Sequence, residues 1–143
     1  MKQFKYAYII TFLIGFAVSA FAQNEFKIIV NADNSIESLS EKELSRIFLK
    51  KQNEWSDGSQ IIPVDQNSNS NVRIHFSENI HQKNVPAIMV YWQKQIFSGR
   101  AVPPAEKRSD RDVITFVKEN PGAIGYVSAK MHLDGVKEIN VTK

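Results

Sequence analysis

Apolar residues in this chain fall in short blocks, and their spacing alternates between a strand period and a helix period. Phe26-Lys-Ile-Ile-Val30 is β-branched and mostly apolar, which predicts a buried strand. A polar loop, Asn31 to Ser35, follows. Ser40 and Glu43 then have the spacing of a capping box, with Leu39 and Leu44 as the flanking staple. Leu44, Ile47 and Phe48 form one apolar stripe, so a helix is predicted over 41–50. Trp55 and the turn pair Asp57-Gly58 lie in the next connection, where Trp55 reads as a packing plug. A second strand is predicted over 60–64, then a polar run, then a helix from about Asn71 to Ile80.

Val85-Pro86 starts the next helix, predicted over 85–97, with Val85, Ile88, Met89, Trp92 and Ile96 on its core face. Gly99 serves as its left-handed cap. Residues 100–108, with Pro103-Pro104, read as a surface loop. Ser109 caps a further helix whose buried stripe is Val113, Phe116 and Val117, and Asn120-Pro-Gly122 stops it. Strands are predicted over 123–127 and 135–141. The alternation gives an α/β fold: a mixed sheet of about four strands flanked by about four helices.

The N-terminus has a different character. Lys2 and Lys5 precede an apolar stretch from Tyr6 to Val18, and Ala20-Phe-Ala22 has the form of a cleavage site. These features predict a secretory signal peptide over 1–22 and a single domain over 23–143. The whole chain has a net charge of +3; its leader holds two of the 18 Lys and Arg, leaving 16 against 15 acids, or +1. So weak a field gives no reason to expect nucleic acid as a partner. The chain has no cysteine, which excludes disulfides, thiolate metal sites, a cysteine nucleophile and a lipidated N-terminal cysteine. Export without disulfides points to a periplasmic protein that is not a lipoprotein.

Catalytic and cofactor patterns are missing. No Gly-x-Ser-x-Gly elbow, phosphate-cradling Gly-Lys-Ser/Thr loop or Gly-x-Gly-x-x-Gly run occurs, so neither an enzyme nor a cofactor is expected. His75 and His81 are six apart, which is not a helical metal pairing, and each reads as a solvated surface side chain. No metal is expected. The chemistry concentrates instead at the junction from Gln60 to Phe76, read as strand, polar loop and helix start. Such a junction offers free N–H groups and the positive end of a helix dipole to an anion. Asp65, Gln66, Asn69, Ser70, Asn71 and Arg73 are its candidate ligand-binding residues. Arg73, in the first turn, suits bidentate pairing with an oxyanion. The plainer alternative is a Ser70 or Asn69 that only caps the helix and an Arg73 that is solvated.

Five segments together resemble the periplasmic phosphate-binding proteins of ABC transporters. They are Ile28-Ile-Val-Asn31, Leu39-Ser-x-x-x-Leu-x-x-Ile-Phe-Leu49 with Trp55, Ile61-x-Pro-Val-Asp-Gln66, Ser70 with Arg73 and Phe76, and Val117-Lys-Glu-Asn-Pro-Gly-Ala-Ile-Gly-Tyr-Val127. The resemblance implies one lobe of a type II periplasmic-binding-protein-like fold without enzymatic activity. The family's Ser-Gly-Thr phosphate contacts fall on Ser70, Asn71 and Val72, and its strand-end Arg falls near Gln66. It implies phosphate or a similar oxyanion as a weak ligand and an ABC permease or other membrane protein as a partner. A homodimer pairing two cleft faces would restore an enclosed site. The alternative is an interaction module that has lost its ligand and docks on a membrane transporter, a sensor or an outer-membrane protein.

Overall fold

The computed structural model describes residues 25–143; the proposed leader and the cut after Ala22 lie outside the described residues. The elements in chain order are β1 (Phe26–Asn31), β2 (Ser38–Ser40), α1 (Glu41–Phe48), β3 (Ile62–Gln66), α2 (Asn71–Phe76), a π-helical turn (Ser77–His81), α3 (Val85–Phe97), β4 (Ala105–Lys107), α4 (Asp110–Glu119), β5 (Ala123–Ser128) and β6 (Val136–Thr142). The sheet has six strands in the order β2-β6-β1-β5-β3-β4. It is mixed: β1 runs antiparallel to both β5 and β6, while the pairs β2–β6, β3–β5 and β3–β4 are parallel.

The α/β class is as expected, with two more strands than the pattern suggested. Both extra strands, β2 and β4, have three residues and pair in parallel at the sheet edges. Three residues carry too little alternation to register as a strand. Thus Leu39 reads as a staple, and the segment holding β4 as loop. The second strand is also shifted toward the C-terminus, so Asp65 and Gln66 belong to β3 rather than to the loop. α1 has its capping box: Glu43 accepts from the Ser40 N–H at 2.8 Å, and Ser40 Oγ accepts from the Glu43 N–H at 3.1 Å. It ends at Phe48, two residues early, and Lys50 takes a left-handed φ of 55°.

Alternate side chains of the central strands feed two cores. Ile28, Val30, Ile124 and Tyr126 face α1 and α2, where they meet Leu44, Ile47, Phe48, Val72 and Phe76. Ile29, Ala123 and Val127 face α4, where they meet Val113, Ile114 and Val117. Gly125 lets α4 come close: a Cβ there would lie 2.7 Å from Val113 Cγ1 and 2.9 Å from Val64 Cγ1. Ile114, rather than Phe116, completes the α4 stripe; Phe116 is half-buried beneath the Lys107 ammonium. Trp55 plugs the first core and donates its Nε1–H to Gly122 O at 3.1 Å.

Two helical readings need correction. The helix expected over 71–80 widens at Ser77, whose buried hydroxyl donates to Lys83 O at 2.7 Å. The wide turn brings His81 inward, edge-on to Phe76, with Nδ1 2.8 Å from Ser45 Oγ. Burial lowers its pKa to about 4, aided by the positive charges of Arg73 and Lys51, so His81 is a neutral packing residue and not a solvated one. In α3 only Val85, Ile88 and Trp92 are buried, whereas Met89 and Ile96 are about half exposed. α1 and α2 already fill that face of the sheet, so α3 touches the body through Val85, Ile88 and Trp92 and through Tyr91, whose hydroxyl donates to Leu49 O at 2.8 Å.

Candidate functional site

Five chain segments meet at one end of the sheet. β3 ends at Gln66, and β5 ends at Ser128. Glu25 precedes β1, and the starts of α2 and α4 face the strand ends. Between them lies an open cleft of about 370 Å³. The loop before α2 is shaped by local bonds: the Asn69 N–H donates to Asn67 Oδ1 at 3.0 Å, and the Ser70 N–H to Asn67 O at 2.9 Å. Ser70 then caps α2, its Oγ accepting from the Arg73 N–H at 3.1 Å. Ser109 caps α4 in the same way, its Oγ accepting from the Asp112 N–H at 3.1 Å. At both starts the N–H groups just inside the cap have no intrahelical acceptor. Ser70, Asn71 and Val72 on one side and Ser109 and Asp110 on the other line the cleft.

The other candidates form a buried network behind this lining. Asp65 accepts a short hydrogen bond from the Tyr126 hydroxyl and another, at 3.1 Å, from the Gln66 N–H. Arg73 Nε lies 3.4 Å from Asp65 Oδ1. Arg73 Nη1 donates to Gln66 O at 2.6 Å and to Glu106 Oε1 at 2.8 Å. Gln66 Nε2 donates to Asp110 Oδ1 at 2.7 Å and to Tyr126 O at 3.0 Å, tying β3 to the start of α4. The Tyr126 ring stacks on Phe76 with centroids 3.9 Å apart.

Burial dominates the electrostatics here. It pushes the Tyr126 phenol well above its ordinary range, helped by the adjacent Asp65, so Tyr126 stays a hydrogen-bond donor. It also pushes the Asp65 carboxyl up, against the pull of Arg73 and Tyr126. For Arg73, burial acts downward, but Asp65, Tyr126 and Glu106 outweigh it and hold the guanidinium protonated.

Of the six residues proposed from sequence, Gln66, Ser70 and Asn71 reach the cleft lining. Asp65 and Arg73 lie behind it and bond to each other; Asn69 is exposed on the loop. Arg73 is neither solvated nor turned toward the cleft. Asp65 and Glu106, which hold it, are close only in the folded sheet. Ser109, Asp110, Glu25, His75 and Ser128 join the lining without having been proposed. The Ser109 cap was legible as a cap; only the parallel pairing of β3 with β4 and β5 places it opposite Ser70. His75 Nε2 lies 2.6 Å from Glu25 Oε2 at the cleft edge. The lining includes the acids Glu25 and Asp110 and neither Lys nor Arg.

Several solved structures share this architecture. An ABC-type phosphate transport receptor from Vibrio cholerae matches over 82% of this chain and 46% of its own, at 19% identity and a TM-score of 0.66. A putative phosphate ABC transporter substrate-binding protein with bound phosphate, from Clostridium perfringens, matches over 82% and 44%, at 20% identity and a TM-score of 0.65. A possible phosphate binding protein from Planctomyces limnophilus matches over 82% and 41%, at 17% identity and a TM-score of 0.60. The chain thus spans less than half the length of these structures. No curated protein matches it. The family described as the PBP superfamily domain matches residues 13–140. Its match covers nearly the whole sequence, and the mixed sheet with helices on both faces is that of the solved relatives: the chain belongs to the PBP superfamily.

Proposed function

We propose that this chain is a non-enzymatic, periplasmic solute-binding lobe that holds phosphate or a related oxyanion weakly between the starts of α2 and α4. The observation carrying this reading is the convergence of two serine-capped helix starts on one cleft. Ser70, Ser109 and Ser128 supply hydroxyls, and the N–H groups of Asn71, Val72 and Asp110 supply backbone donors with the helix dipoles behind them. The phosphate bound in the Clostridium perfringens relative supports the choice of ligand.

Affinity and selectivity follow from the rest of the lining. Glu25 and Asp110 repel an anion, and Arg73 is committed to Asp65 and Glu106. Asp110 also lines the cleft as a hydrogen-bond acceptor, so an oxyanion that still carries a proton is preferred over one that does not. Hydrogen phosphate therefore binds better than sulfate. Water and salt reach an open cleft, which a membrane partner such as an ABC permease or the cleft face of another copy would close.

Calorimetric titration of the protein expressed from the full sequence, with phosphate, sulfate and acetate, tests the proposal. Phosphate should bind with a dissociation constant on the order of 1 mM, and sulfate more weakly. No heat and no shift in melting temperature at about ten times that phosphate concentration overturns the ligand reading.

A second reading is an interaction module that docks on a membrane transporter, sensor or outer-membrane protein. The inward-turned Arg73 and the side chains of Asn71 and Val72 at the helix start favour it. It predicts no response to any anion, together with recovery of a membrane protein when the tagged chain is pulled down from membranes.

A further inference from the structure

α3 is apolar on two stripes, and only one is covered. Val85, Ile88 and Trp92 pack inward. About 100° round the helix, Met89 and Val90 are each 48% exposed, Ile96 is 52% exposed and Phe97 is 92% exposed. A helix apolar on so much of its circumference is normally covered on both sides. None of these residues lines the cleft.

The order of the exposed residues is symmetric about Gln93. Met89 and Val90 precede it by four and three positions; Ile96 and Phe97 follow it by three and four. On a helix these spacings form one continuous seam with Gln93 at its centre. In an isologous two-fold contact each residue meets on the mate the residue that meets it in return, and a seam symmetric about one position fits that with the position on the axis. From it we propose that α3 is the contact between two copies of this chain, packed antiparallel with the two Gln93 residues at the two-fold axis. Met89 and Val90 of one copy then meet Ile96 and Phe97 of the other, twice. The two Gln93 carboxamides lie side by side, where each donates to and accepts from its mate. Lys94, the only charged residue of α3, lies off the seam.

The surface available matches that role. The exposed parts of the four apolar side chains amount to roughly 400–500 Å² per copy, a patch of the size that is often functional. Two such faces bury about 800–1,000 Å² in total, the size of a weak contact that forms and dissociates with concentration. This contact leaves the cleft open, so it stands whether or not an oxyanion binds there.

Sedimentation equilibrium across about 1–300 μM protein should show a monomer–dimer equilibrium. Phe97→Glu should abolish the dimer while leaving the circular dichroism and melting temperature of the monomer unchanged, because the side chain is almost fully exposed. The chain has no cysteine, so Gln93→Cys provides an independent check: mild oxidation should give a covalent dimer, and Asn79→Cys should not. A protein that stays monomeric across the range overturns the proposal. So does a dimer that survives Phe97→Glu and resists cross-linking through position 93. A monomer that instead binds anionic phosphatidylglycerol vesicles through Phe97 also overturns it, by making a lipid surface the occupant.

Discussion

Arg73 carries a charge with a side chain only 5% exposed, and three oxygens hold it there: Asp65 Oδ1, Glu106 Oε1 and Gln66 O. Removing the Asp65 charge leaves the buried guanidinium with the half-exposed Glu106 as its one remaining carboxylate partner. Asp65→Asn should therefore lower unfolding free energy by about 3 kcal/mol, measured by urea denaturation. Tyr126→Phe, which deletes only a hydroxyl, should cost about 1–2 kcal/mol. His81 gives a pH signature that a solvated histidine lacks. Its folded pKa of about 4 lies below the ordinary 6.5, so folding favours the neutral ring. That stability is fully present above pH 6.5 and is lost as pH falls through the folded pKa, reaching about 3 kcal/mol at full protonation. His81→Gln should flatten this limb: the difference between wild type and variant should shrink between pH 6.5 and 4. A constant difference would mean that His81 titrates alike in both states. The caps at Ser40, Ser70 and Ser109 were legible in the sequence because each acts on a backbone group three residues away. The placement of Arg73 and His81 was not, because their partners come from other elements.

At the level of elements, Gly125 sets the distance between α4 and the sheet. A methyl group there would press on Val113 and Val64 at once. Gly125→Ala should destabilise the fold by about 1–3 kcal/mol, and by displacing α4 it should also weaken phosphate binding, since Ser109 and Asp110 move with the helix. Gly58→Ala, at a left-handed turn with no neighbour in contact, should cost stability alone without touching affinity. Comparing the two by thermal melts and calorimetry separates helix placement from general loss of stability. The long, strongly periodic elements, β1, α1, α4 and β5, could be read from their spacing. The edge strands β2 and β4 could not, because pairing with a neighbour rather than their own pattern makes them strands. α3 misled for another reason. Its apolar positions predict burial, yet Met89, Val90, Ile96 and Phe97 stay exposed because the body of the fold covers only the Val85, Ile88 and Trp92 side.

For the molecule as a whole, the sheet order decides the chemistry. β3 and β5 lie side by side and parallel, so the ends of both strands and the helix starts of α2 and α4 open at the same edge. One half of this arrangement, the polar loop before α2, was recognisable from composition and from the family resemblance. The facing half depended on topology. In the proposed site the opposed starts would give an anion two sets of backbone donors, while Glu25 and Asp110 and the open side would hold affinity low. Backbone amides are the groups assigned to the ligand, so they should be observed directly. In two-dimensional ¹⁵N–¹H NMR spectra recorded during a phosphate titration, the amides of Asn71, Val72 and Asp110 should shift together with one millimolar dissociation constant, and sulfate should move them less. Phosphate shifts confined to surface lysines and the loop after α3, with these three amides unmoved, would contradict an oxyanion site between the two helix starts.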